Sequence, residues 1–205
     1  MHELAGGQLA IGIDEVGRGA LAGPLTVAAV ALPDEPQIIG LDDSKKLTPK
    51  RREQLAQAIR AEALGYGIAH IAPAEIDACG MSASLRVAMA RALRECERML
   101  AARSVPLQEG AVLVDGRPVH ISEREQALVG GDGRVACIAA ASILAKVTRD
   151  AYMVEQAQRY PAYGLDANKG YGSSAHIEAI RSFGTTDLHR QTFLGKILSE
   201  QQTLL

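Results

Sequence analysis

Tryptophan is absent from the 205 residues, and Phe and Tyr together make up only 3% of them. A core with so few rings must be filled by aliphatic side chains and alanine. Cysteine is scarce too: Cys79, Cys96 and Cys137 are odd in number, widely spaced and form no CxxC pair. That excludes a disulfide framework and a thiolate zinc site, and reduced thiols in a cytoplasmic protein are the expectation. No apolar run approaches the roughly 18 residues of a membrane span, and no basic-then-apolar leader pattern opens the chain, so no membrane role is expected. Strong net charge is missing as well. At −2 the chain offers a polyanion no global attraction, so any nucleic-acid surface must be local.

What is present is ordinary for a globular protein, with 47% apolar and 22% charged residues. No internal repeat, low-complexity segment or linker interrupts the chain. A single domain over residues 1–205 is expected, with a helical C-terminal segment from about residue 174. Strands come first and helices alternate later, which predicts an α/β fold with a mixed sheet covered by helices.

The stretch IGIDEVGRG, residues 11–19, combines an apolar run with two acids and a glycine-bracketed arginine. The run reads as a buried strand. Neighbours on a strand face opposite ways, so Asp14 and Glu15 can converge only where the chain leaves the sheet. Gly17 and Gly19 let backbone amides approach a ligand closely. A strand ending in a solvated turn is the commoner meaning of a lone acid pair. A dinucleotide loop is the sharper alternative, because Gly17, Gly19 and Gly23 make a loose GxGxxxG with Asp42 and Asp43 downstream. It requires a helix at the glycines, whereas LTVAAVAL after Gly23-Pro24 reads as a second strand. Two carboxylates ahead of the glycines would also repel a pyrophosphate.

Further along, Thr48 is placed to cap a helix that starts at Pro49 and runs to about Ala63. Lys45 to Arg52 hold five cations, which in isolation read as a solvated face. Tyr66–Ile71 predicts a strand, and Pro73 opens a helical stretch with Leu85, Met89, Leu93, Cys96 and Leu100 as its apolar stripe. Ala111–Val114 predicts a strand ending in Asp115-Gly116. A short strand at Ala127–Val129 then leads into the glycine-flexed turn holding Asp132. Ala139 to about Tyr160 predicts a long helix, with Ile143, Val147, Ala151 and Val154 inward and Ser142, Lys146, Arg149 and Asp150 polar. Ser174 is expected to cap the helix carrying His176, and a last helix is expected from about Asp187 to Glu200, carrying His189. The histidines read as packing or surface residues, and Asp150 reads as structural.

Asp14, Glu15, Asp115 and Asp132 come from strand ends or turns far apart in sequence. If their strands are neighbours, the acids share one sheet edge and raise one another's pKa until cations neutralise them. Oxygen-only ligands favour Mg²⁺ or Mn²⁺ over zinc. Two such ions suit in-line displacement at phosphorus.

IGIDEVGRGALAGP, LDDSKKLTPKRRE, VLVDG, AAASILAKVTRD, YPAYG, NKGYG and HRQTF occur in this order between residues 11 and 193. Together they resemble bacterial ribonuclease HII. The resemblance implies a ribonuclease H-like fold, a mixed β-sheet flanked by α-helices with a helical C-terminal part. It implies endonucleolytic hydrolysis of RNA in RNA–DNA hybrids and incision 5′ to single ribonucleotides in duplex DNA, leaving 3′-OH and 5′-phosphate ends. Catalytic and metal-binding roles follow for Asp14, Glu15, Asp115 and Asp132, with two divalent ions, Mg²⁺ or Mn²⁺. By the same resemblance Gly17, Arg18 and Gly19 hold the ribose 2′-OH and adjoining phosphates, and Tyr171 packs on the next deoxyribose. The 2′-OH is what separates RNA from DNA, so exposed amides and a shape-testing ring suit that task. Lys45, Lys46, Lys146, Arg149 and Lys169 become expected phosphate contacts. The turn at Gly130-Gly131-Asp132 departs from the family's usual Lys-Gly-Asp, which removes a cation beside the fourth acid, and Thr192 stands where Ser is common.

Ribonuclease HIII is the nearest alternative, but it usually carries Gly-Thr-Gly at the Gly17-Arg18-Gly19 position. A hybrid-binding module without catalysis is the alternative from another class, and metal-dependent cleavage would exclude it. As partners, an RNA–DNA hybrid or a ribonucleotide-bearing duplex is expected for a monomer. Gln201–Leu205 loosely resembles a peptide that binds bacterial sliding clamps.

Overall fold

The structure, a computed structural model, describes residues 9–106, 110–195 and 197–198. Its packing separates two compact units. The first comprises Met1–Val16, Thr26–His70 and Leu85–Val147; the second comprises Gly17–Leu25, Ile71–Ser84 and Thr148–Leu205. The strands are β1 (Ala10–Val16), β2 (Leu25–Ala31), β3 (Gly65–Ile71), β4 (Ala111–Asp115) and β5 (Glu125–Leu128). The helices are α1 (Pro49–Glu62), α2 (Pro73–Cys79), α3 (Met81–Ala102), α4 (Ala136–Arg159), α5 (Leu165–Asn168) and α6 (Ser174–Phe183).

The first unit is a five-stranded mixed sheet in the order β3-β2-β1-β4-β5, flanked by helices. β1 runs antiparallel to β2 and parallel to β4, and β4 runs parallel to β5. β2, LTVAAVA, is buried at every residue, as a small apolar run in a sheet interior should be. Thr48 caps α1 by accepting from the Arg51 amide, with Pro49 at the first helical position, as its sequence predicts. Leu55, Ala56 and Ile59 of α1 then pack with Val30, Ile143 and Leu144. The stripe Leu85, Met89, Leu93, Cys96 and Leu100 of α3 is buried.

Gly12 decides how closely α4 meets the sheet. A Cβ there would lie 2.3 Å from the backbone of Cys137 and Ile138, so only glycine admits the first turn of α4 onto β1. That approach brings the following turn of α4 beside the residues after Gly12.

The second unit has its own core of Ala22, Met153, Tyr163, Leu165, Ile180, Leu188 and Leu194. Three expectations are corrected here. α6 is capped by Ser173, whose hydroxyl accepts from the His176 amide, rather than by Ser174. Residues 187–194 are not α-helical, and of the expected last helix only the described residues 195 and 197–198 are. The Leu188 carbonyl accepts from the Gly23 amide and the Arg190 amide donates to the Leu21 carbonyl, so pairing with residues 21–23 takes the groups a helix would use. Gln191–Phe193 forms only a short 3-10 turn. In α4, Ala151 is exposed and Val154 is 44% exposed, while Arg149 and Met153 are wholly buried. The inward stripe of that half runs through Arg149 and Met153, one helical turn apart, and a buried arginine cannot be foreseen from hydropathy.

Candidate active site

Three acids meet in the first unit. Asp14 and Asp115 each follow the last paired residues of the parallel strands β1 and β4, Ile13 and Val114. Asp132 sits in a short turn, Gly131–Gly133, entered through Gly130 in the left-handed region (φ 68°). One carboxylate oxygen from each of Asp14, Asp115 and Asp132 lies within 4.8 Å of the others. Glu15 is half-buried and stands outside that trio; β1 continues to Val16, so the chain has not left the sheet at the acid pair.

Each acid is held by groups from its own unit. Asp14 accepts from the Glu15 amide at 2.7 Å and from the Ser142 hydroxyl. Ser142 and Ser44 are 2.9 Å apart, so with Ser142 donating to Asp14, Ser44 donates to Ser142. Both serines are buried. Arg52 fixes the turn carrying Ser44 by donating to the carbonyls of Ser44 (2.8 Å) and Leu47 (2.6 Å). Asp115 accepts from the Gly131 amide at 2.7 Å, tying the Asp132 turn to β4. Sequence reasoning missed Ser44 and the inward aim of Ser142. Their only sequence signal is polarity inside the LDDSKK and AAASILAK runs.

The trio is electrostatically unbalanced. Burial, then the neighbouring Glu15 and Asp115, push Asp14 up to about 7 against the pull of its hydrogen bonds. Burial and Asp115 raise Asp132 as well. The Lys45 ammonium stands 3.9 Å from Asp132 on a side chain 81% exposed. Lys46 pairs with Asp42 at 3.1 Å. Carboxylates gathered this closely, two of them buried and one half-buried, with oxygen donors only, fit a hard divalent cation.

The second unit collects Gly17, Arg18, Gly19, Arg149, Lys169 and Tyr171. Arg18 and Gly19 are exposed, while Gly17 is buried at φ +85° over Arg149. Arg149 was expected to reach phosphates but is fully buried. It donates to the carbonyls of Pro24 (2.9 Å), Lys169 (2.8 Å) and Ala22 (3.0 Å), and its guanidinium lies 5.4 Å from the Tyr171 ring centre. Arg190, also fully buried, donates to the carbonyls of Gly23 (2.9 Å) and Arg18 (3.0 Å). Desolvation, then the neighbouring Arg149, pulls Arg190 down to about 10. Two buried cations thus pin the backbone that carries Gly17-Arg18-Gly19 and Tyr171. Tyr171 is 38% exposed. Lys169 adopts the left-handed region and its ammonium bonds the Asp166 carbonyl; Lys146, in the first unit, is partly exposed. Gln201–Leu205 lies outside the described residues.

The family model for ribonuclease HII matches residues 11–196. A ribonuclease HII of Shouchella clausii is 41% identical over 194 residues, covering 95% of this chain and 71% of the relative. Among solved structures, the ribonuclease H2 of Pyrococcus horikoshii superposes with a TM-score of 0.74 at 26% identity, over 95% of this chain and 99% of the other. The Archaeoglobus fulgidus RNase HII, solved as a PCNA complex, gives 0.68 at 29% identity over 89% and 94%. With the mixed sheet, the acids at adjacent strand ends and nearly the whole length matched, the chain belongs to the ribonuclease HII family, and with it to the ribonuclease H endonucleases that act on RNA–DNA hybrids.

Proposed function

We propose that the protein incises duplex DNA 5′ to a single embedded ribonucleotide, as well as the RNA strand of hybrids, using two divalent ions. The observation that carries this reading is the closely gathered, mutually repelling trio of buried Asp14 and Asp132 with half-buried Asp115. These three, with Glu15, would hold Mg²⁺ or Mn²⁺. Such ions, when bound, make water a nucleophile near neutral pH and stabilise the leaving 3′-oxygen. Ser142 and the Glu15 amide fix the orientation of Asp14, and the Gly131 amide fixes Asp115, so the ligands are preorganised by their own unit.

In this reading the Gly17-Arg18-Gly19 backbone holds the 2′-OH, and the half-exposed Tyr171 ring tests the following sugar by shape. Lys45, Lys46, Lys146 and Lys169 contribute through phosphates. Arg149 acts on the substrate through the loops it pins. A second proposal concerns Gln201–Leu205 as a clamp-binding peptide, supported by the relative solved with PCNA. Deleting those five residues should abolish clamp binding, and unchanged binding would end that idea.

The test is a DNA duplex with one ribonucleotide, incubated with Mg²⁺, Mn²⁺ or EDTA. Metal-dependent incision 5′ to the ribonucleotide is expected. Cutting of long hybrids alone would overturn the single-site reading, and binding without cutting of either would support a non-catalytic hybrid binder.

A further inference from the structure

Behind Tyr171, the second unit buries two imidazoles in contact. His176 and His189 are 0% and 2% exposed, and their Nε2 atoms lie 3.3 Å apart. Their hydrogen bonds fix every proton. His176 Nδ1 is 2.9 Å from the Tyr171 carbonyl, which can only accept, so Nδ1 carries the hydrogen and Nε2 is bare. His189 Nδ1 receives the Thr186 amide at 3.0 Å, which can only donate, so Nδ1 is bare and Nε2 carries the hydrogen. The His189 Nε2–H therefore donates to His176 Nε2. One direction of donation runs from Thr186 through both rings to Tyr171.

We propose that His176 and His189 form a neutral, proton-ordered relay that positions the Tyr171 backbone, making both positioning residues for the choice between single ribonucleotides and long hybrids. The proposal rests on the reading of Tyr171 as the residue that tests the sugar. Tyr171 needs such a hold because its neighbours are Gly170 (φ 81°) and Gly172, and Lys169 is already in the left-handed region. Its carbonyl takes two bonds, from the Ser173 amide at 2.8 Å and from His176. A proton added to either ring would set two N–H groups face to face or expel the Thr186 amide. The surroundings oppose that proton. Burial lowers both histidines, with His176 adding to the effect on His189, which reaches about 4. The Tyr163 ring packs against both, at 6.4 and 5.0 Å between centres. Asp187 alone pulls His189 the other way by charge, and the neighbouring Arg190 is turned onto the Gly23 and Arg18 carbonyls.

Two measurements test the relay. In the wild-type protein labelled with ¹⁵N-histidine, NMR at pH 7 should give His176 as the Nδ1–H tautomer and His189 as the Nε2–H tautomer. An imidazolium, or the opposite tautomers, overturns the proposal without any variant having to fold. Separately, the ratio of kcat/KM for a single-ribonucleotide duplex to that for a long hybrid is measured in Tyr171→Ala, His189→Phe and His189→Gln. His189→Phe should lower the ratio about tenfold, through KM for the single-ribonucleotide duplex, because sub-ångström misplacement is costly. His189→Gln keeps a donor near the Nε2 position and should restore the ratio to within about twofold. Combined with Tyr171→Ala, His189→Phe should cause no further loss. If Tyr171→Ala leaves the ratio unchanged, the reading of Tyr171 falls and the relay's purpose with it. If Tyr171→Ala lowers the ratio and His189→Phe does not, the relay alone is refuted.

Discussion

The two units bury charge of opposite sign and treat it in opposite ways. The first gathers Asp14, Asp115 and Asp132 within 4.8 Å and sets the exposed Lys45 ammonium 3.9 Å from Asp132. The second buries Arg149 and Arg190 and turns their guanidiniums onto backbone carbonyls. Unbalanced charge is a site waiting for a ligand, whereas charge spent on carbonyls is scaffold. Hence Asp14 is displaced to about 7, into the physiological range, while Arg190 at about 10 remains a cation.

That contrast breaks most visibly at Asp14. Asp14→Asn should reduce incision by at least about a thousandfold while stabilising the metal-free protein above pH 7 by up to about 4 kcal/mol. Activity lost with stability gained is the mark of a strained functional charge, and gel incision with thermal melts in EDTA reads both. Arg149→Met should instead lower stability, by about 3 kcal/mol, by orphaning the carbonyls of Ala22, Pro24 and Lys169. A denaturant melt checks it. Gly17→Ala ranks next, at about 1–3 kcal/mol, since its Cβ would stand 2.2 Å from the Arg149 side chain at a φ of +85°.

Proton linkage separates the units by sign. Asp14, raised from 3.8 to about 7, favours the fold fully below about pH 4, and that contribution is lost as pH rises through about 7. His189, lowered from 6.5 to about 4, favours the fold above pH 6.5, and that contribution is lost as pH falls toward about 4. The two slopes oppose each other in wild type. In metal-free Asp14→Asn the melting temperature should therefore climb more steeply between pH 4 and 6.5 than in wild type, and then level. The smallest effect is expected for Lys45→Ala. Its exposed pair with Asp132 should move the melting temperature by no more than about 2 °C.

Much of the first unit was legible in the sequence because it is local. Apolar runs ending in acids marked Asp14 and Asp115, glycines marked the Asp132 turn, and Thr48-Pro49 marked the start of α1. The second unit was less legible because its structure is made by long-range backbone pairing. Residues 187–194 carry a helical pattern, yet Gly23 and Leu21 take their hydrogen bonds. Arg149 reads as a solvent-facing cation, and nothing in its neighbours reveals carbonyls from residues 22, 24 and 169. Ser44 and Ser142 stand 98 positions apart and are single hydroxyls, so their joint hold on Asp14 emerges only when α4 closes onto Gly12.

The charge imbalance of the acid trio should be relieved by divalent cations. Calorimetric titration of Mn²⁺ and Mg²⁺ at pH 7, repeated in buffers of different ionisation enthalpy, measures that relief. With Asp14 near 7, cation binding should release a substantial fraction of a proton, and Asp14→Asn should abolish that release. Cation binding with no proton release in wild type, or release that persists in Asp14→Asn, would contradict it.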